Sequence, residues 1–128
     1  FRVLDHACQE LGGLEAAFEI SVKLAPHQVV QPDVMVLTAL PARGKIDAAT
    51  LRLAVAVADT TLAEDLAKAR IYAGGGVPEY WIADANGRVI IQMWAPEGEA
   101  YAERREVAFG VRIAAATVEG LAVETAGV

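Results

Sequence analysis

The sequence predicts an α/β domain, a mixed β-sheet flanked by helices with a β-rich C-terminal extension. Three observations carry this prediction. Leu51–Ala58 (LRLAVAVA) is a near-continuous apolar run, and such a run needs cover on both faces, as a central strand has. The segment after it places Leu62, Leu66, Ala69 and Ala73 at helical spacing and ends in Gly74-Gly75-Gly76, a left-handed helix stop. Beyond Pro78 the pattern changes to short, partly alternating runs separated by turn residues.

Taken in order, Phe1, Leu4, Ala7, Cys8 and Leu11 recur at helical spacing, and Gly12-Gly13 ends that helix. Phe18, Ile20, Val22 and Leu24 alternate with polar residues, which predicts a half-buried strand over Ala17–Leu24. A turn follows over Ala25–Gln31 through Pro26, then a short buried strand over Asp33–Thr38 and a loop over Ala39–Thr50. After the central run, Thr61 with Glu64 three residues on forms a capping box. Glu64, Lys68 and Tyr72 share one face of the helix at i, i+4 and i+8. Pro78–Asp84 reads as a strand, Ala85-Asn86-Gly87 as a hairpin turn, and Arg88–Trp94 as the returning strand. Further strands are expected over Tyr101–Val107, Val111–Ala114 and Leu121–Glu124.

Composition bounds the function. A chain of 128 residues is expected to form one domain over 1–128. Apolar residues make up 55% and charged residues 22%, a folded composition. No apolar run reaches the roughly 18–20 residues a membrane helix needs. The lone Cys8 cannot form an internal disulfide or a CxxC metal site, which fits a reducing cytoplasm. Seventeen acidic residues against eleven basic ones give a net charge of −6. DNA binding rests on lysine and arginine neutralising phosphates, so an acidic chain is expected to bind DNA weakly. The compact basic spots are Lys68–Arg70 and Arg104–Arg105. His6 and His27 lack any ligand spacing.

The motifs resemble a known family. The order helix, three strands, helix, strand is that of the PD-(D/E)xK nuclease superfamily, the restriction-endonuclease-like fold (αβββαβ). Pro32-Asp33-Val34, Thr61-Leu62, Asp65, Lys68, Tyr72-Ala73, Gly76-Val77-Pro78-Glu79-Tyr80-Trp81 and Asp84 resemble the short bacterial Uma-type restriction endonucleases. The likeness spans roughly Ala17 to Leu121, and its Tyr-Ala…Gly-Val-Pro-Glu-Tyr-Trp portion is specific. Two departures stand out. Ala56-Val57 occupies the place of the family's Glu-Val. Asp65 and Lys68 lie three apart, one closer than the family spacing, which makes Glu64 the better aligned acid. Family members also carry an N-terminal region with a further Glu, and this chain is expected to start after it.

The resemblance implies a magnesium- or manganese-dependent endonuclease that cuts nucleic-acid phosphodiester bonds, DNA among them, as a homodimer. Asp33 would supply a carboxylate, Val57 its backbone carbonyl as the second metal ligand, and Lys68 the catalytic cation. Ala56 supplies nothing. Glu19, Asp59 and Glu64 are the residues that could compensate. The residues also admit plainer readings. Asp33 can serve as a strand-start residue that bonds backbone amides, Lys68 can pair with Glu64 across one helical turn, and Glu79 can satisfy local backbone. The contrasting function is a catalytically inactive nuclease-fold protein acting as a binding or dimeric module, with Trp94, Tyr101 and Phe109 forming an apolar seam.

Overall fold

The structure is a computed structural model that describes residues 2–19, 21–25, 28–38 and 48–125. The expected positions Phe1, Ile20, Pro26 and His27, and most of the loop expected before Leu51, lie outside the described residues, as do the side chains of Leu4 and His6. In chain order the elements are α1 (Arg2–Leu11), β1 (Glu15–Phe18), β2 (Val22–Ala25), β3 (Gln28–Val30) and β4 (Val34–Leu37). A 3-10 turn (Ala48–Thr50) leads into β5 (Leu51–Ala58), α2 (Leu62–Ala67), α3 (Ala69–Gly74) and β6 (Glu79–Asp84). The tail holds β7 (Val89–Glu97), β8 (Ala100–Ala108), β9 (Arg112–Ala114) and β10 (Ala122–Glu124).

Six strands form one sheet in the order β1-β4-β5-β6-β7-β8. The β5–β6 pair is parallel and every other neighbour in it is antiparallel. A parallel pair needs a crossover, and α2 with α3 provides it. The mixed sheet with helices on its faces is therefore the predicted one. Alternation divides its core. Met35, Ala54, Ala56, Tyr80 and Ile82 pack on the face that also gathers Leu62, Leu66 and Ala69. Val34, Val36, Leu53, Val55, Trp81 and Ala83 pack on the other, with Cys8 of α1 and with Ile113 and Val123 of the β9–β10 pair.

Two expectations need correction. The predicted strand over Ala17–Leu24 is two strands. Glu19 adopts a left-handed backbone (φ 51), which breaks the extended run after Phe18. The chain then leaves the sheet as a separate β2–β3 hairpin, so the expected turn before Gln31 contains a strand. Period-2 alternation was satisfied by either arrangement. The capping box is also absent. Thr61 makes no side-chain bond to the helix backbone; its hydroxyl donates instead to Asp65 Oδ2 at 2.8 Å. The helix also divides at Lys68, whose carbonyl accepts from both Ile71 N and Tyr72 N, a mixed i+3/i+4 junction. The glycine stop stands, with Gly76 at φ 77. At the β6–β7 hairpin, Asp84 Oδ1 accepts from the amides of Asn86 and Gly87.

The aromatic seam does not form. Tyr101 packs against the helix-side cluster and donates to the Val77 carbonyl, whereas Phe109 packs on the opposite cluster. Arg105 covers the Trp94 ring and Arg88 the Phe109 ring, so the three rings make no common surface.

Glu79 has a larger role than its local sequence suggests. It is fully buried. Its Oε2 accepts from Trp81 Nε1, Gln92 Nε2 and the Ala116 amide, and its Oε1 from the Thr117 amide and hydroxyl. A buried carboxylate is tolerable only when so satisfied, and this one ties the segment before β10 to the central sheet. Removing it leaves several buried donors without acceptors. The Glu79→Ala variant is expected to lose about 3 kcal/mol or more of stability in urea unfolding; a loss below about 1 kcal/mol would contradict the hub.

Tyr72 and Tyr80 stack between α3 and β6 with ring centroids 4.4 Å apart. Burial raises both phenol pKa values far above the ordinary range, and the charges of Asp65 and Asp33 raise them further; Tyr72 also acts on Tyr80. Tyr101 is raised the same way, by burial first and then by Tyr72 and Glu79. These are the chain's three tyrosines. Above about pH 10 the unfolded chain releases phenol protons that the folded chain retains, so stability falls as pH rises from there. Spectrophotometric titration at about pH 11 should show no tyrosinate until the protein unfolds, and ordinary titration of all three in the folded state would contradict the packing.

Candidate active site

The site forms because β5 runs on past the start of β4. The pairing of β4 with β5 reaches Val34 opposite Val55, so among the described residues Val57 has no strand neighbour on that side. Pro32 and Asp33 sit at the mouth of β4, and Asp33 Oδ2 accepts a hydrogen bond from the Val57 amide at 2.7 Å. In a strand the N–H and C=O of one residue point to the same side. The Val57 carbonyl therefore faces the same open edge as the Asp33 carboxylate. The plain reading of Asp33, a strand-start residue bonding a backbone amide, holds, and the same residue lines the cleft.

The crossover helix supplies the rest. Lys68 Nζ lies 3.9 Å from Asp65 Oδ1, with the lysine side chain 52% exposed and the aspartate 9%. Asp65 is fixed at three points: its amide donates to the Thr61 carbonyl, its Oδ2 accepts from Thr61 Oγ1, and its carbonyl accepts from Tyr80 Oη at 2.9 Å. The last bond fastens α2 to β6. The ion pair expected between Glu64 and Lys68 is instead made by Asp65. Together Asp33, Ala56, Val57, Glu64, Asp65 and Lys68 line one cavity of about 300 Å³, with Gln31, Pro32 and Thr61 in its wall and the Tyr72–Tyr80 stack beneath. Among the described residues, three carboxylates there face one ammonium group.

The sequence-predicted residues Asp33, Val57 and Lys68 are thus brought to one cleft. Ala56 lines it too and offers only a methyl group. Of the three residues expected to compensate, Glu19 is outside the cavity wall, where its carbonyl accepts from Gln31 Nε2. Asp59 is outside it as well, on the loop after β5, its carbonyl held by Asn86 Nδ2. Glu64 lines the cavity from an exposed position. The acid that sequence reasoning passed over as a compensator is Asp65, buried in the same wall. Its i, i+4 spacing from Thr61 was the available signal. Of the arginines in the two basic spots, Arg70 pairs with Glu99 at the surface, and Arg105 donates to Gln92 and to the Ala114 carbonyl.

A divalent ion can be tested against these donors. Among the described residues no group of three or more His, Cys, Asp or Glu side chains gathers closely enough to hold a metal. Asp33 has one oxygen committed to the Val57 amide. That set makes no closed cage. It does fit a magnesium ion, which takes hard oxygen donors, keeps several waters and is commonly held by one or two carboxylates together with substrate phosphate.

No helix among the described residues is long and apolar enough to cross a membrane. A solved structure described as "a putative nuclease belonging to DUF820" from Anabaena variabilis ATCC 29413 is similar in fold, with a TM-score of 0.64 at 10% identity over 88% of this chain. This chain spans 65% of that neighbour's length. No curated protein matches. The family profile of Uma2, described as "Putative restriction endonuclease", matches residues 1–126. Taken with the restriction-endonuclease-like fold and the Pro-Asp and Pro-Glu-Tyr-Trp motifs, this match shows that the chain belongs to the Uma2 family.

Proposed function

We propose that this chain hydrolyses nucleic-acid phosphodiester bonds with a magnesium or manganese ion that it shares with the substrate phosphate. The observation that carries this reading is the meeting of Asp33, the open Val57 edge and Lys68 in one cleft. Among the described residues the cavity wall holds three carboxylates and one ammonium, a balance that favours a cation accompanying the phosphate. Asp33 and the Val57 carbonyl are the residues that would hold the ion. When bound, it polarises the phosphate and lowers the pKa of an attacking water.

The chain's own groups do the remaining work. The Val57 amide orients the Asp33 carboxylate through their 2.7 Å bond. Lys68 is half exposed and only loosely paired with Asp65, a contact of little energy, so its ammonium is free to turn toward the phosphate and balance charge that builds up in the transition state. Helix α2, fastened through Tyr80 and Asp65, keeps that ammonium at the cleft. The thin donor set predicts weak ion binding, with ion demand well above that of a closed site. A cytoplasmic location and nucleic acid as partner go with this reading.

Ala56 and the net charge of −6 favour a second reading, a catalytically silent relative that binds a partner. Nicking of supercoiled plasmid in a manganese titration separates the two. The expected result is nicking that appears only at high ion concentration and falls by about 100-fold or more in Asp33→Asn and in Lys68→Ala. No cleavage at any ion concentration would remove the enzyme reading. A homodimer is also proposed, since cutting both strands calls for two sites. Sedimentation across a concentration series should show dimers, and a monomer throughout would count against it.

A further inference from the structure

The place of the missing acid is filled from the helix. We propose that Asp65 is the second carboxylate toward the divalent ion, taking the role that residue 56 cannot perform. The inference rests on the reading above, in which Asp33 and the Val57 carbonyl hold the ion.

Geometry selects Asp65. Ala56 faces the side of the sheet that α2 and α3 cover, and both Ala56 and Asp65 line the same cavity. A short side chain on β5 leaves space above it, and Asp65 on the covering helix lines that same cavity. Asp65 is the buried acid of this wall, 6% exposed, whereas Glu64 beside it faces solvent. Burying a carboxylate is costly unless it is well partnered, and Asp65 is only partly so. Oδ2 takes the Thr61 hydroxyl, but among the described residues Oδ1 has only the long 3.9 Å contact with a half-exposed lysine. Its backbone is held at both amide and carbonyl, so the carboxylate is positioned in advance.

The test is manganese binding, followed by calorimetry and by the loss of the free-ion electron-resonance signal, in the intact chain. Asp65→Asn keeps the volume and an acceptor for the Thr61 hydroxyl, and Asp65→Ala, a strong helix former, serves if the asparagine variant melts early. We expect one ion per chain, weakened by on the order of 10-fold or more in either variant, and tightened in Ala56→Glu. In the Ala56→Glu background the Asp65→Asn change should cost much less, because the introduced carboxylate covers the role. A merely structural Asp65 would cost the same in both backgrounds. Binding that survives Asp65→Asn unchanged but is lost in Asp33→Asn would overturn this inference and leave the nuclease reading standing. Absence of binding to the unmodified chain would overturn both. Binding through both acids without plasmid nicking would uphold the inference and remove the nuclease reading alone.

Discussion

The bond from the Val57 amide to the Asp33 carboxylate is the constraint on which the cleft depends. It exists because β5 is longer than its neighbour β4, so the last residues of the central strand project beyond the edge of their pairing. A projecting strand end exposes a donor and an acceptor. Asp33 takes the donor, and the acceptor stays at the open edge. The parallel β5–β6 pair then obliges the chain to cross over the sheet, and the crossover brings Thr61, Asp65 and Lys68 down on the same end of β5. One mismatch in strand length and one parallel pairing thus account for the whole constellation.

The opposite face of the sheet holds the structure rather than the chemistry. Glu79, Trp81 and Gln92 form a buried polar knot that reaches Ala116 and Thr117. Tyr80, between Glu79 and Trp81 in sequence, points the other way and holds α2 through the Asp65 carbonyl. The Pro-Glu-Tyr-Trp motif therefore serves both faces. Its alternate residues fasten the C-terminal segment on one side and the floor of the cleft on the other.

Much of this was legible in the sequence. The apolar run over Leu51–Ala58 gave the central strand because a strand covered on both faces cannot alternate. Pro32-Asp33, Lys68 and Gly-Val-Pro-Glu-Tyr-Trp located the cleft and the family. The break at Glu19 was not legible, because alternation constrains which face a side chain takes and says nothing of where a strand leaves the sheet. Apart from Trp81, the partners of Glu79 were hidden for a related reason: they lie 13 to 38 residues away, and spacing rules reach only across a turn or two. Asp65 was visible as a motif residue, but its burial depends on how α2 rests on β5. Glu64, at i−4 from Lys68, looked the better partner on a straight helix, but the lysine ammonium lies beside Asp65.

The central claim is that Asp33, the Val57 carbonyl and Lys68 share one ion-sized gap at the end of β5. Crystals of the protein soaked in manganese and measured at the metal's anomalous edge test it most directly. The account predicts an anomalous peak between the Asp33 carboxylate and the Val57 carbonyl, with the Lys68 ammonium on the same side of the sheet. A peak elsewhere in the molecule, or Asp33 and Lys68 on opposite faces, would contradict it.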